Sequence, residues 1–469
     1  MRDAQRWERK ESFVRVHFIG IGGISMSAMA EIALADGHQV SGSDVKGSKI
    51  IERLVDKGVK FHLGHHADAV KGADLVIYTS AVKGDNPELV RAREEDIPAL
   101  SRAEMLGRLM QRASKSVAVA GSHGKTTTTS MITEVLLHSG LDPTALVGGE
   151  LESIGGNVRL GRSEYFVTEA CEYTENFLYL KPHVGIILNI DLDHVDYFKN
   201  MESIVRAFER FATVVDPEGC LVVNADDAEA RRIGLQRQGR VLSYGIDENA
   251  EIRADRIEVD SGFPVFHVAG HGEDWGVFRL AIPGKHNVYN ALATIATTSF
   301  FGVDRQKVRE ALARFRGTGR RFEYRGEING VTVVDDYAHH PAEIRATLKA
   351  AREFSYRRIV CVFEPHTYSR TKALLEDFAA AFSDADLVIV VPIYAAREKD
   401  QGEVTSSDLV RRATEMGISA VYAPSFPAAV SVLREHTGPG DLVLTMGAGD
   451  VYQVGDMFLC NGEEKKGPA

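Results

Sequence analysis

Short apolar, β-branched runs alternate with stretches of helical periodicity along almost the whole chain, the pattern of α/β domains built on parallel sheets. The first run, Val14–Ile19, precedes a helical stretch that contains Glu31–Ala35, and Gln39–Ser43 and Leu75–Thr79 then read as buried strands. A fresh start at Ser116 runs from strand Val117–Ala120 through a glycine loop into a helix. In that helix Met131, Ile132, Val135 and Leu136 recur at helical spacing and Gly140 supplies a stop. Tyr165–Thr168 and Val184–Ile190 continue the same sheet, and residues 250–282 alternate like antiparallel strands added at its edge. After Gly317-Thr318-Gly319 the runs Val331–Val334, Ile359–Phe363, Leu387–Val391 and Leu442–Thr445 alternate with helical stretches once more. Pro341 takes a first-turn position there with Glu343 close behind. The pattern predicts three units, residues 1–112, 113–318 and 319–469, with the two glycines at 317 and 319 suited to a hinge.

A length of 469 residues agrees with three domains. With 44% hydrophobic and 26% charged residues the chain has ample material for cores and is too apolar for disorder. The net charge of −11 argues against a nucleic-acid partner, which calls for a basic surface. No apolar run approaches the roughly 20 residues of a spanning helix, so no membrane partner is expected. The charged start Met1–Lys10 leads into no signal-like apolar core. Cys171, Cys220, Cys361 and Cys460 are scattered without C-x-x-C spacing. They make neither a disulfide framework nor a zinc knuckle, and a cytoplasmic location is expected.

The strongest chemical signal is Gly121-Ser122-His123-Gly124-Lys125-Thr126-Thr127, between a buried strand and a helix. Glycines let the chain curl so that backbone N–H groups point at a phosphate. Lys125 then neutralises the β- and γ-phosphates and Thr126 offers a hydroxyl to Mg²⁺. Val119 stands where the strict P-loop pattern has its first glycine, so the loop is a shortened variant. In the first unit, Gly20, Gly22, Gly23 and Ser25 follow strand Val14–Ile19 and Asp44 ends the next strand, the arrangement of a dinucleotide fold. Glu169 follows Tyr165–Thr168, and Asp191, Asp193 and His194 follow Val184–Ile190, at the sheet edge where ligands bind. Carboxylates there suit Mg²⁺ held against phosphates. In the third unit, Asp335–Pro341 and Glu364–Arg370 end successive strands. His339 and His340 are adjacent, so they project differently and do not form a helical zinc pair. A polar pocket for a small charged acceptor, or for the nucleotide across a cleft, fits them better.

Taken in order, Gly20–Ser27, the Gly121–Thr127 loop, Asn189–His194, Gly284–Asn290 and Asp335–Pro341 resemble the Mur ligases over nearly the whole chain. The stretch Phe363–Thr371 resembles the alanine-adding members more than the ligase that recycles a whole tripeptide. The resemblance implies a Rossmann-like first domain, a P-loop-type ATPase domain with a mostly parallel sheet, and a Rossmann-like third domain. It implies ATP-dependent joining of L-alanine to the carboxylate of UDP-N-acetylmuramate in peptidoglycan precursor synthesis, through an acyl-phosphate, with Mg²⁺ as cofactor. These three small molecules would be the partners of a monomer or weak homodimer.

By the same resemblance Gly121–Thr127 hold the ATP phosphates, with Lys125, Glu169 and His194 catalytic and Thr126, Glu169 and His194 at the metal. Asn287 and Asn290 contact adenine, Arg321 the phosphates and Asp336 the ribose. Gly20, Gly22, Gly23, Ser25 and Asp44 hold the UDP part, and Tyr337, His339, His366 and Arg370 lie near the incoming alanine. Sibling ligases carry a carbamylated lysine beyond the Asp-His pair, where this chain reads Arg206-Ala207-Phe208-Glu209-Arg210 and has no lysine. Two other classes compete. A dehydrogenase uses the first glycine loop but leaves the second unexplained, and a P-loop switch or motor has no need of the first and third units.

Overall fold

The computed structural model describes residues 14–460 apart from Ser80, 195–196, 247–249 and Arg397. The charged N-terminal stretch and the polar tail Asn461–Ala469 lie outside the described residues. Three sheets follow one another along the chain. The first has five parallel strands in the spatial order Lys60–Leu63, Gln39–Asp44, Arg15–Ile19, Leu75–Tyr78, Ala99–Ser101. Strand order reverses at Arg15–Ile19, so the crevice of this switch point opens beside the glycine loop that begins at Gly20.

The central sheet has ten strands. Its parallel middle runs Arg240–Gly245, Cys220–Asn224, Val184–Ile187, Lys115–Ala120, Tyr165–Ala170, Thr144–Leu151. At one edge Ile252–Asp260 joins in parallel and then turns through two hairpins, which confirms the expected edge addition over residues 250–282. Several strand ends shift by a residue or two, and two of the differences bear on the site. The strand expected to reach Ile190 stops at Ile187. Beyond it Asn189 turns its amide onto the backbone of His123, and Ile190 N–H donates to Asp227, so these residues form a loop. Glu169 does not follow its strand but lies inside Tyr165–Ala170, in register with Val119.

The third sheet has six strands: Glu323–Ile328 antiparallel to Val331–Asp336, followed by Leu442–Met446, Ile359–Phe363, Leu387–Val390 and Ala420–Tyr422 in parallel. Pro341 opens the helix Pro341–Arg352, and its first turn is closed by a capping box between His340 and Glu343.

Apolar packing distinguishes the joints between these units. One buried cluster runs from Met26, Met29, Met105 and Leu109 of the first unit to Phe166, Phe177 and Phe208 of the second. The third sheet keeps clusters of its own, around Ile344, Phe363 and Phe378 on one face and Val360, Ile389 and Val454 on the other. Its apolar contacts with the central domain include a small aromatic group. Phe263, on a central hairpin, meets Phe354 edge to face at 5.6 Å, and Phe322 stacks on the same ring at 5.9 Å.

The segment Gly317-Thr318-Gly319 is not the free hinge its glycines suggest. Thr318 Oγ1 donates to Ser130 Oγ at 3.0 Å and Gly319 N–H donates to the Glu150 carbonyl at 2.8 Å, so it is anchored on the central domain. The chain turns just after it, where Arg320 and Phe322 take φ of 60° and 51°.

Candidate active site

The phosphate loop leaves strand Lys115–Ala120 and enters helix Lys125–His138. Gly124, the residue before the helix, has φ +85°, and a Cβ there would lie 2.5 Å from Asn290 Oδ1, so both conformation and space demand glycine. Asn189 clamps the loop: its Oδ1 accepts from His123 N–H at 2.8 Å and its Nδ2 donates to the His123 carbonyl at 3.1 Å. Lys125 curls back, its ammonium donating to the carbonyls of Gly121 and Ser122 and to Glu172 Oε1 at 3.1 Å. Burial opposes that charge, but Glu172, Cys171 and Asp193 together outweigh it and hold the Lys125 pKa above its usual value.

Two cavities flank the loop. The first, of about 250 Å³, is lined by His123, Asn287, Asn290, Arg321 and Asp336, which brings together the residues expected at adenine, ribose and phosphates. Asn287 and Asn290 are joined side chain to side chain at 3.0 Å. Both Asp336 oxygens accept backbone N–H groups, from Phe322 and Ala338, each at 2.8 Å. Burial still pushes this carboxyl up to about 6, against the pull of Arg321.

The second cavity, of about 570 Å³, is lined by Ser122, Lys125, Thr126, Glu169, Asp193, His194, Tyr337 and His339. Gly124, Arg321 and Glu343 border both spaces. Thr126, Glu169 and His194 therefore face one space, and Glu169 Oε1 accepts the Gly148 N–H at 2.6 Å. A tighter set lies beside them: Glu172, Asp193 and His194 each bring one ligand atom within 4.8 Å of the others. Glu172 is fully buried, and its Oε2, 3.0 Å from the Lys125 ammonium, is poorly aligned for a hydrogen bond. These hard oxygen donors with one imidazole fit a divalent cation such as Mg²⁺.

The four alanine candidates also cluster. Tyr337 and His339 rings lie 5.4 Å apart, His339 and His366 rings 5.6 Å apart, and Arg370 Nη1 is 3.0 Å from His366 Nδ1. Burial pulls the His339 imidazole down to about 4, so it is neutral. Arg370 Nη2 also bonds Asp193 Oδ1 at 2.7 Å across the domain joint, with both side chains nearly sealed from solvent. Burial opposes the Asp193 charge, and Arg370 together with the surrounding imidazoles nevertheless holds its pKa well below the usual carboxylate range.

In the first domain Gly20 has φ +82°, and Gly22 N–H donates to Asp44 Oδ2 at 2.9 Å, so the loop and its expected carboxylate are in contact. Gly23 caps the helix that begins at Ile24. Ser25 Oγ accepts from Arg102 at 3.3 Å, which sets a cation beside the loop. Arg102 and Glu172 carry no sequence signal of a site, and Glu343 reads there only as a first-turn acid and not as a site residue. Arg102 and Glu343 carry only ordinary helix-start patterns, and Glu172 sits in a short polar turn with no period to expose it.

Residues 15–114 match the Mur ligase family catalytic domain, 119–298 the Mur ligase middle domain and 320–449 the Mur ligase glutamate ligase domain. The chain belongs to the Mur ligase family. Within it, a UDP-N-acetylmuramate–L-alanine ligase from Caldanaerobacter subterraneus subsp. tengcongensis is 52% identical over 97% of this chain and 99% of its own. The ligase of the same name from Alkaliphilus metalliredigens is also 52% identical, over 95% and 96%. The crystal structure of UDP-N-acetylmuramate-alanine ligase from Thermotoga maritima superposes with a TM-score of 0.82 at 32% identity, covering 97% of this chain and all of that one. A MurF ligase from the same organism, in complex with ADP, shares the fold alone, with a TM-score of 0.64 at 19% identity over 91% and 96% of the two chains. Among the described residues no helix is long and apolar enough to cross a membrane.

Proposed function

We infer that this chain joins L-alanine to the carboxylate of UDP-N-acetylmuramate and converts ATP to ADP and phosphate. One observation carries the assignment of roles: the phosphate loop lies between a cavity bearing paired asparagines and a cavity bearing Lys125, Glu169, His194, Tyr337 and His339. The near full-length relatives of the same activity support the choice of substrates.

A carboxylate is a poor acyl donor because its leaving group would be oxide. Transfer of the γ-phosphoryl group makes an acyl-phosphate, whose phosphate can leave when the alanine amine attacks. Such transfer asks the protein mainly for position and charge. Asn287 and Asn290 would hold the base, Asp336 the ribose, and Arg321 with the loop N–H groups that Asn189 leaves free the phosphates. Lys125 would leave the Gly121 and Ser122 carbonyls for the β- and γ-phosphates. Mg²⁺, held by Thr126, Glu169 and His194 with Glu172 and Asp193 adjoining, would neutralise phosphate charge. Gly20, Gly22, Gly23, Ser25 and Asp44, backed by Arg102, would hold the UDP end. Arg370 and His366 would face the carboxylate of alanine, and Tyr337 and neutral His339 would line its pocket. The unit boundaries we assign to these tasks are 1–112, 113–318 and 319–469.

Purified protein should release phosphate only when ATP, UDP-N-acetylmuramate and L-alanine are all present. Lys125→Met should abolish that release while calorimetry shows unchanged UDP-N-acetylmuramate affinity. Release in the variant above a few per cent of the wild-type rate, or saturable NADH binding with no response to the UDP-sugar, would overturn the assignment.

A further inference from the structure

His123 stands in the phosphate loop, yet it borders the nucleotide cavity and not the cavity where the acyl group reacts. Its backbone is held on both sides by Asn189, so only its ring is free to choose partners. That ring is 15% exposed and sits between two carboxylates from different domains. Nδ1 lies 3.2 Å from Glu343 Oε1 of the C-terminal domain. Nε2 lies 3.1 Å from Asp191 Oδ2 of the central domain, close enough for a charge pair though poorly aligned for a hydrogen bond. A neutral imidazole carries one N–H and would turn a lone pair toward one of these anions, so the setting calls for the imidazolium.

Glu343 is equally constrained. Its Oε2 accepts the N–H groups of His339 and His340 at 3.0 and 3.2 Å, which fixes the carboxylate to the first turn of Pro341–Arg352. The His340 ring, 4.8 Å from that of His123, fills the remaining side. The segment held in this way, Asp336–His340, carries the candidate ribose and alanine contacts. No step of the reaction described above uses the His123 ring.

We propose that His123 is a positioning residue that latches the C-terminal domain onto the phosphate loop, its imidazolium clamped between Asp191 and Glu343 so that Asp336, Tyr337 and His339 stand over the loop together. The proposal rests on the ligase assignment for its kinetic readout but not for its structural one. The geometry lets one loop serve both parts of the site: the N–H groups that Asn189 leaves free stay available for phosphate while the His123 side chain grips the domain that brings the amino acid.

Two conservative variants test it. His123→Gln removes the charge and keeps hydrogen-bonding capacity, and Glu343→Gln keeps an oxygen for the His339 and His340 N–H groups. Each should lower kcat at least tenfold and raise KM for L-alanine, with KM for the UDP-sugar within twofold of wild type. The double variant should be no slower than the worse single one, because both remove the same bond. Small-angle scattering, without ligand and with ADP and UDP-N-acetylmuramate, should show a more compact wild type than either variant. Losses that multiply in the double variant, wild-type kcat in either single one, or equal compaction in all would overturn the latch. A wild type that ligates nothing would sink the ligase assignment instead, and the scattering comparison would still decide the latch.

Discussion

Arg370→Met separates the stability of the domains from the stability of their docking. Arg370 and Asp193 come from different domains, and their side chains are only 8% and 7% exposed. Removing one partner of a buried pair costs about 3–5 kcal/mol when the other stays buried. Asp193 has an escape, because the C-terminal domain that covers it has cores of its own and can lift away to let water reach the carboxylate. The cost should therefore fall on docking and not on folding. A docking equilibrium weakened by about 3–5 kcal/mol loses its closed form by a factor of roughly 100 to 4,000. The same cost placed on unfolding would lower the melting temperature by about 6–20 °C in a domain of this size. We expect a melting temperature within about 2 °C of wild type by calorimetry, turnover down at least about 100-fold by phosphate release, and unchanged UDP-sugar affinity. Adding Asp193→Asn removes the stranded charge and should restore docking. Any raised KM for alanine that persists then measures what the guanidinium contributes to the amino-acid carboxylate. A melting temperature lowered by more than about 6 °C in Arg370→Met, or turnover that stays at the wild-type level, would refute the reasoning.

Gly22→Ala would place a Cβ 2.9 Å from both Asp44 Oδ2 and Ile51 Cδ1. UDP-N-acetylmuramate affinity should fall at least tenfold by calorimetry while ADP affinity holds, and an unchanged UDP-sugar Kd would remove this loop from the donor site. Burial pulls the His123 pKa down, but Asp191 and Glu343 on its two nitrogens raise it from 6.5 to about 9, with His340 as the other titratable neighbour. A raised pKa gives a contribution that is complete below 6.5 and lost as pH climbs through about 9. At saturating substrates kcat should decline between pH 8 and 10 in the wild type, with that limb missing in His123→Gln; a limb of equal size in both would assign it to another group.

What local pattern determines was legible before the structure. Ile359–Phe363 is a strand over the residues expected, because five consecutive apolar positions buried on both faces leave little room for another reading. Both glycine loops stand at strand ends beside the residues anticipated for them. Chain-distant contacts were not legible. Glu343 reads in sequence as an acid in a first helical turn, which it is, but its other oxygen meets His123, 220 residues away. Glu172 matters because Lys125 reaches it from 47 residues earlier. The glycines of 317–319 do provide an unusual conformation, with φ +97° at Gly317. Whether that conformation is loose or tethered depends on Ser130 and Glu150, which no local pattern discloses.

The helix Pro341–Arg352 is held differently at its two ends. Beyond its C-terminal end, Phe354 rests on Phe263, an apolar contact that tolerates sliding and tilting. At its N-terminal end Glu343 meets His123 through a directional charged bond that fails once the atoms part by a few ångströms. Twelve residues at 1.5 Å each make a lever of about 18 Å, so a tilt of about 10° about the aromatic end moves the other by about 3 Å. Such a tilt unmakes the charged contact while the aromatic one persists. Loss of this charged contact thus needs no large excursion of the helix. A rocking motion about the aromatic contact as a greased bearing would break the polar end first and leave the aromatic end to guide the helix back.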